Sequence, residues 1–274
     1  MLLAHGATDE HPEGQSIEAH LKGTGELAET FAAEFGAAAN GKLCGSMHDI
    51  GKYSDEFQLR LRGGKKVDHA TAGAVECFGA KALYEAICII GHHGGLPDVG
   101  NQKADTTESA TFFGRKQRAD RGGIPDYRKN WHGHVAIPEG YIKPSGGYYA
   151  AFFFIRMLYS CLVDADYIDT ETFINGDAGR GRHEQLPTLC NKLANYISKW
   201  KNPTREIDVL RQRILNSCIK NSGNPRGMFT LTVPTGGGKT VASMAFALNH
   251  AAANSMKRII YVIPYTSIIE PTLC

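Results

Sequence analysis

The chain has 274 residues, 42% hydrophobic and 21% charged, with a formal charge of +2. Those values describe a folded globular protein of one large or two ordinary domains and exclude a disordered chain, while the near-neutral balance neither demands nor rejects nucleic acid. Seven scattered cysteines without C-x-x-C spacing argue for reduced thiols in a cytosolic protein, against a disulfide frame or a thiolate zinc site.

At the N-terminus, "MLLAHGATDEHPEG" lacks the basic flank and apolar core of a secretory signal. Residues 16–39 read as a helix with Ser16 in the N-cap position and an apolar stripe through Ile17, Leu21, Thr24, Leu27, Ala28, Phe31 and Phe35. His20 falls on that stripe and points inward. Residues 41–51 form a shorter helical stretch carrying Cys44, Met47, His48 and Ile50. The segment 68–95 reads as two helices or a kinked one, stopped by Gly94-Gly95. Residues 96–147, rich in glycine, proline and charge, read as a long surface insertion with a basic run over 114–131.

The most apolar stretch, "YYAAFFFIRMLYSCLVDADYI" at 148–168, is interrupted by Arg156 and closed by Asp164 and Asp166. It is too short and too charged to span a bilayer and reads as a fully buried core helix. "GDAGRGRH" at 176–183 is a break, and two amphipathic helices follow, roughly over 186–200 and 204–220. The grammar then changes. "GMFTLTV" reads as a buried strand, "PTGGGKT" as a glycine-rich loop, "VASMAFALNHAAAN" as a helix and "RIIYVIP" as a second strand, together one βαβ unit. The predicted fold is mainly α over 1–180, with a helical linker over 181–224 and the start of an α/β domain over 225–274.

His20, His48, Asp49, His69, His92, His93 and Asp166 all lie on or at the end of predicted helices among apolar neighbours. An unpaired imidazole or carboxylate is costly there. One inward histidine alone is usually a satisfied core residue, but seven such groups need a common partner, and the simplest is a cation. Nitrogen and carboxylate donors without thiolate suit manganese, iron, cobalt, nickel or zinc, with magnesium a further candidate. Lys52 stands three residues beyond Asp49 on the same helical face, either placed to steady a phosphate oxygen or an ordinary solvated lysine. His5, His11, His132, His134, His183 and His250 read as surface residues.

The succession "IEAHL", "HDIGK", "HHGG" and "DADYIDTE" resembles the HD superfamily of metal-dependent phosphohydrolases. More closely, "HDIGK", "DHATAGA" and "GHHGG" resemble the HD nuclease domain of the CRISPR-associated type I helicase–nuclease. The resemblance implies one divalent ion held by His20, His48, Asp49 and Asp166, and a second held by Asp49, His69, His92 and His93. Helical neighbours diverge by about 100°, so His48 would face one ion while the oxygens of Asp49 span the pair. Two such ions about 3.5–4 Å apart lower the pKa of a bound water and clamp a phosphodiester displacement. "DAD" offers Asp164 as well as Asp166 for the closing acid, and the "ADY" context favours Asp166.

"VPTGGGKT" follows a predicted strand and opens a helix, as a phosphate-binding loop requires. Gly236, Gly237 and Gly238, with Thr235 before them, would wrap the phosphates, Lys239 would meet the β- and γ-phosphates, and Thr240 would hold magnesium. Val233 departs from the strict pattern, which has glycine there. "PTGGGKT" resembles the first motif of superfamily 2 helicases, and "VIPYTSIIE" at 262–270 resembles the following motif of the CRISPR helicase family, which touches single-stranded DNA.

The resemblance implies a cytoplasmic metal-dependent nuclease acting on single-stranded DNA in type I CRISPR interference, with crRNA-guided Cascade as partner and no membrane. In the intact family protein it is fused to an ATP-dependent helicase using ATP and magnesium. The acidic Walker B strand and second lobe of that motor have no counterpart in these residues, so ATP hydrolysis is not expected of this chain. The basic segments 114–131 and 176–226 are either tracks for a DNA backbone or solvated faces. The same shell would also suit an HD-type nucleotide phosphohydrolase, a di-iron oxidase or a non-catalytic docking module.

Overall fold

Leu3–His5 (β1) pairs antiparallel with Gln15–Ser16 (β2), and the hairpin feeds directly into Ile17–Ala33 (α1). In this computed structural model, which describes residues 1–9, 11–176, 184–198, 200 and 202–262, the protein is mainly helical and divides into two units, Met1–Ala178 and Gly179–Cys274. Ser16 caps α1, its Oγ accepting from the Ala19 N–H at 3.1 Å. The helix ends short of the predicted residue 39, because Gly36 adopts φ 76° and the Ala37 N–H bonds back to the Ala32 carbonyl at 2.9 Å.

The first unit continues with Ala38–Met47 (α2), a 3-10 turn at Ile50–Tyr53, Asp55–Arg60 (α3), Ala70–Gly79 (α4), Leu83–Gly91 (α5), Phe112–Asp120 (α6) and Gly147–Asn175 (α7). Segment 68–95 is therefore two helices. α1 packs on α2 and α7, α4 on α5, and α5 on α7, around a core that includes Ile17, Ile50, Ile89, Leu158 and Leu162. Each of these is fully buried or nearly so, and each such side chain stabilises the fold by roughly 1.5–3 kcal/mol. The six cysteines among the described residues are free thiols, and all but Cys190 are buried.

Three sequence expectations change here. α7 buries only one stripe (Phe154, Leu158, Cys161, Leu162, Ala165), while Tyr148, Tyr149, Phe153 and Tyr167 on its other faces are exposed. It is apolar nearly all round, but its neighbours α1, α2 and α5 cover one side. Nor is 96–147 merely a surface insertion: Phe112 and Tyr127 enter the core, with Trp131 packed against it. Most of its basic residues are also engaged by partners within the unit. Arg115 bonds the Ile90 carbonyl, Arg118 the Thr107 carbonyl, Arg128 pairs with Glu76 and Lys129 with Asp55. That segment clamps the insertion onto the bundle. Among the described residues no helix is long and apolar enough to cross a membrane.

Glu85 is buried in the first turn of α5, accepting from Asn40 Nδ2 at 2.7 Å and from the Tyr141 hydroxyl at 2.9 Å. Burial raises its pKa against those two bonds, so the folded state holds the proton more tightly than the unfolded chain. Its contribution to stability is best below the usual glutamate value near 4.3 and is lost as pH rises through the folded pKa. Glu85→Gln keeps both bonding positions without the charge. It is expected to raise the melting temperature at pH 8, with the advantage shrinking as pH falls toward 4.3, as thermal melts across that range will show.

The second unit holds Leu186–Ser198 (α8), Glu206–Asn221 (α9) and Lys239–Ala253 (α10). The predicted strands are absent among the described residues: 227–233 and the described part of the second, 258–262, are unpaired, with Met228 95% and Ile260 84% exposed. A strand needs a bonded neighbour, and a parallel sheet needs both faces covered; neither condition is met here. The α/β character expected of this part is not seen. The break at 177–183, His183 and the motif over 263–270 lie outside the described residues.

Candidate metal centre

Five of the candidate residues sit at helix ends. His48 ends α2, Asp49 follows in a non-helical conformation (φ −120°, ψ 22°), His69 precedes α4, and His92 and His93 follow α5. His48 and Asp49 thus diverge because the helix stops between them, not because they are helical neighbours. His20 and Asp166 instead project from within α1 and α7.

Helix ends also orient the rings. The last carbonyls of a helix have no intrahelical donor. His48 Nδ1 lies 2.7 Å from the Gly45 carbonyl and His92 Nδ1 2.6 Å from that of Ile89, each one turn back along its own helix. A carbonyl only accepts, so each Nδ1 carries the hydrogen and each Nε2 is turned inward. Two motif glycines bring the backbones close enough. A Cβ on Gly51 would overlap the His69 carbonyl, and one on Gly73 the Met47 carbonyl. The glycine of "HDIGK" is therefore where the chain around His69 passes.

Asp49 lies at the middle, fully buried. Its Oδ2 faces His20 Nε2 (3.3 Å) and His48 Nε2 (3.4 Å), and its Oδ1 faces His69 Nε2 (3.5 Å) and His92 Nε2 (3.4 Å). Asp166 Oδ1 closes the first pair, 3.4 Å from His20 Nε2 and 3.5 Å from His48 Nε2. His93 Nε2 meets His69 Nε2 at 2.8 Å, and His20 Nε2 meets His48 Nε2 at 3.2 Å. Asp164 is exposed on α7 away from this cluster, which leaves Asp166 as the closing acid.

Several buried atoms lack what a neutral protein would give them. Both Asp49 oxygens and His92 Nε2 make no hydrogen bond, Lys52 meeting Oδ2 as an ion pair at 2.7 Å. Such atoms fit a cation. His20, His48, Asp49 and Asp166 bring four ligand atoms within 4.8 Å of one another, an arrangement that can hold a metal ion, and Asp49, His92 and His93 form a second such group. The donors are imidazole nitrogen and carboxylate oxygen, as borderline transition metals prefer.

Charge is distributed accordingly. Burial opposes the Asp49 carboxylate, but Lys52 and then His48 hold it well below the usual range. Burial also opposes a charged His48, yet Asp49 and Asp166 raise it to about 10. Without a cation, that proton separates the Nε2 atoms of His48 and His20; ligation at His48 requires its release. Burial, and then the charge of His92, depress His93 to about 4, leaving its imidazole neutral.

The structure changes the reading of several residues. Lys52 is 5% exposed, not a solvated lysine, and its Nζ lies 2.7 Å from Asp49 Oδ2. His5 is half-buried, its Nε2 3.5 Å from Lys52 Nζ and its ring 4.9 Å from that of His20. His250 is buried on the Ser222 carbonyl at 2.8 Å. His11 is half-buried against Phe173, while His132 and His134 are exposed as expected. Asp169, unassigned from the sequence, lies 2.7 Å from His20 Nδ1. Its signal is the i,i+3 spacing from Asp166 on α7.

In the second unit, the loop over 234–238 leads into α10, with Gly236 and Gly238 at φ 81° and 78°, which glycine alone adopts freely. A cavity of ≈ 930 Å³ opens there, lined by Trp200, Arg205, Arg211, Thr235, Lys239 and Thr240 among others. Arg211 Nε donates to the Gly236 carbonyl at 2.8 Å. Lys239 and Thr240 are exposed to this cavity, while Gly237 between its lining glycines is buried. A scan against protein-family models and a search of curated proteins found no match to this chain.

Proposed function

We propose that the first unit is a metal-dependent phosphodiesterase that cuts single-stranded DNA. The observation that carries this reading is the division of Asp49, one oxygen toward His20 and His48 and the other toward His69 and His92. A single carboxylate serving two adjacent groups of imidazoles suits a pair of divalent cations, which supply Lewis-acid stabilisation of a phosphodiester displacement and lower the pKa of the attacking water. Lys52 holds the Asp49 carboxylate between the two groups of histidines, and the backbone carbonyls behind His48 and His92 keep their Nε2 atoms inward. His93 is the exposed member of the cluster, which supports approach of a substrate from that side.

The single-strand preference, the placement in type I CRISPR interference and the Cascade partner rest on the resemblance of "HDIGK", "DHATAGA" and "GHHGG". The glycine loop of the second unit, with Lys239 and Thr240 on an open cavity, supports a nucleotide-phosphate site there. EDTA-stripped protein resupplied with manganese is expected to linearise and degrade circular single-stranded DNA, and to leave mononucleotides intact. Release of nucleoside or orthophosphate from mononucleotides would favour the small-molecule phosphohydrolase instead. Lys239→Ala is expected to leave cleavage by this chain unchanged, since the nuclease chemistry makes no use of the loop; a fall in cleavage rate measured beside wild type would contradict that.

A further inference from the structure

His20 is held differently from the other ring-bearing ligands. His48 and His92 rest on backbone carbonyls, whereas His20 Nδ1 rests on the carboxylate of Asp169, at 2.7 Å. Asp166 and Asp169 are one turn apart on α7, so they project from the same face. One meets Nε2 of His20 at 3.4 Å and the other meets Nδ1, leaving the imidazole clamped between two acids of a single helix. Gln15 Nε2 donates to the same Asp169 oxygen at 2.8 Å, and the Asp169 side chain is only 13% exposed. Gly23, one turn beyond His20 on α1, makes the approach feasible, since a Cβ there would overlap Asp169 Oδ1.

A carboxylate behind a ligating histidine fixes the tautomer, orients the ring and increases the basicity of the nitrogen facing the metal. The group around His20 also draws on two acids, Asp49 and Asp166, while the group around His92 and His93 has Asp49 alone. Its ligands are more deeply enclosed as well, because His93 is exposed. Lys52 works the other way, placing an ammonium 2.7 Å from the Asp49 oxygen on the His20 side. One ammonium offsets one of the two acids, and the remaining difference is the carboxylate behind His20.

We propose that Asp169 is a positioning residue that makes the His20–His48–Asp49–Asp166 position the tighter of the two, so that the centre fills in two separate steps. This rests on the two-cation reading of the site, not on DNA as substrate. Manganese is titrated into the EDTA-stripped full chain, followed by electron paramagnetic resonance of the free ion and by calorimetry. Wild type is expected to show a tight step and a weaker one, each of one ion. Asp169→Asn keeps an acceptor for Nδ1 but removes the charge, and is expected to weaken the tight step about 10- to 100-fold while leaving the weak step in place.

Gly23→Ala, which displaces the carboxylate sterically, is expected to reproduce that selective loss, and the double variant is expected to be no worse than Asp169→Asn alone. A purely structural role for Asp169 would weaken both steps together, and that result would overturn the proposal, as would an unchanged tight step or two steps of equal affinity in wild type. Thermal melts of the metal-free variants identify any loss due to unfolding, and Gly23→Ala then serves as the second test. Stepwise filling without DNA cleavage would sink the nuclease reading and leave this inference standing. Cleavage with an unaltered tight step in Asp169→Asn would do the reverse.

Discussion

Replacing Asp49 with alanine is expected to bring metal-stimulated cleavage of circular single-stranded DNA down to the level of EDTA-treated wild type, and to remove both cation positions at once. Among the described residues no other carboxylate pairs with histidines of both groups, Asp166 meeting only His20 and His48 and Asp169 only His20. The stability of the metal-free protein should fall as well. Lys52, 5% exposed, and His48, fully buried, would lose the carboxylate that holds their charge, and breaking a buried ion pair typically costs about 3–5 kcal/mol. Asp49→Asn conserves volume and separates the loss of ligation from the loss of fold. Gel analysis of cleavage, with a thermal melt of each variant, checks both effects. If Asp49→Ala, stripped with EDTA and resupplied with manganese, cuts like wild type, the proposed function is wrong.

Gly51→Ala is the second large effect expected. The added methyl has no free space, because the His69 backbone occupies it, and the obstruction is main chain rather than the end of a flexible side chain. Overpacking of that kind costs about 1–3 kcal/mol. The more specific consequence is that His69 must shift away from His93 and Asp49 Oδ1. Manganese stoichiometry is therefore expected to drop from two toward one, with the His20 group retained. Gly79→Ala is the control: it lies at the end of α4 with open space around it, and alanine is the better helix former. That variant should bind two ions and melt no lower than wild type. Equal stoichiometry in both variants would mean that the approach of His69 to Gly51 does not set the second position.

Much of the centre was legible because its residues sit on short, locally determined elements. The stripe through Ile17, Leu21 and Thr24 places His20 inward by helical period alone, and the structure buries it fully. Gly94-Gly95 and the run of small residues over 70–74 mark the two helices that bring His69 and His92 to one end of the bundle. Asp169 went unassigned because its role depends on Gly23, 146 residues earlier, leaving room for it. The sequence leaves Lys52 open between a phosphate contact and a solvated lysine for a similar reason: charge alone suggests solvent, and only the packing of Phe57 and His5 around it shows an enclosed ammonium. The basic run over 114–131 misled because composition counts charges without their partners, and Glu76 and Asp55, which neutralise two of them, come from other elements.

What the amino-acid order determined by itself was the mainly helical character of the first unit, the inward faces of its helices, and the kinds of donor available to a cation. Local periodicity and residue chemistry are enough for each of these, since both act within a few turns of chain. The family resemblance suggests a shared Asp49 and favours Asp166, but tertiary structure alone decided which imidazoles each Asp49 oxygen faces, that α2 ends between His48 and Asp49, and that Asp166 packs against His20. Those outcomes depend on backbones that touch across long stretches of sequence, where an overlap with a single methyl group sets how close two helices come.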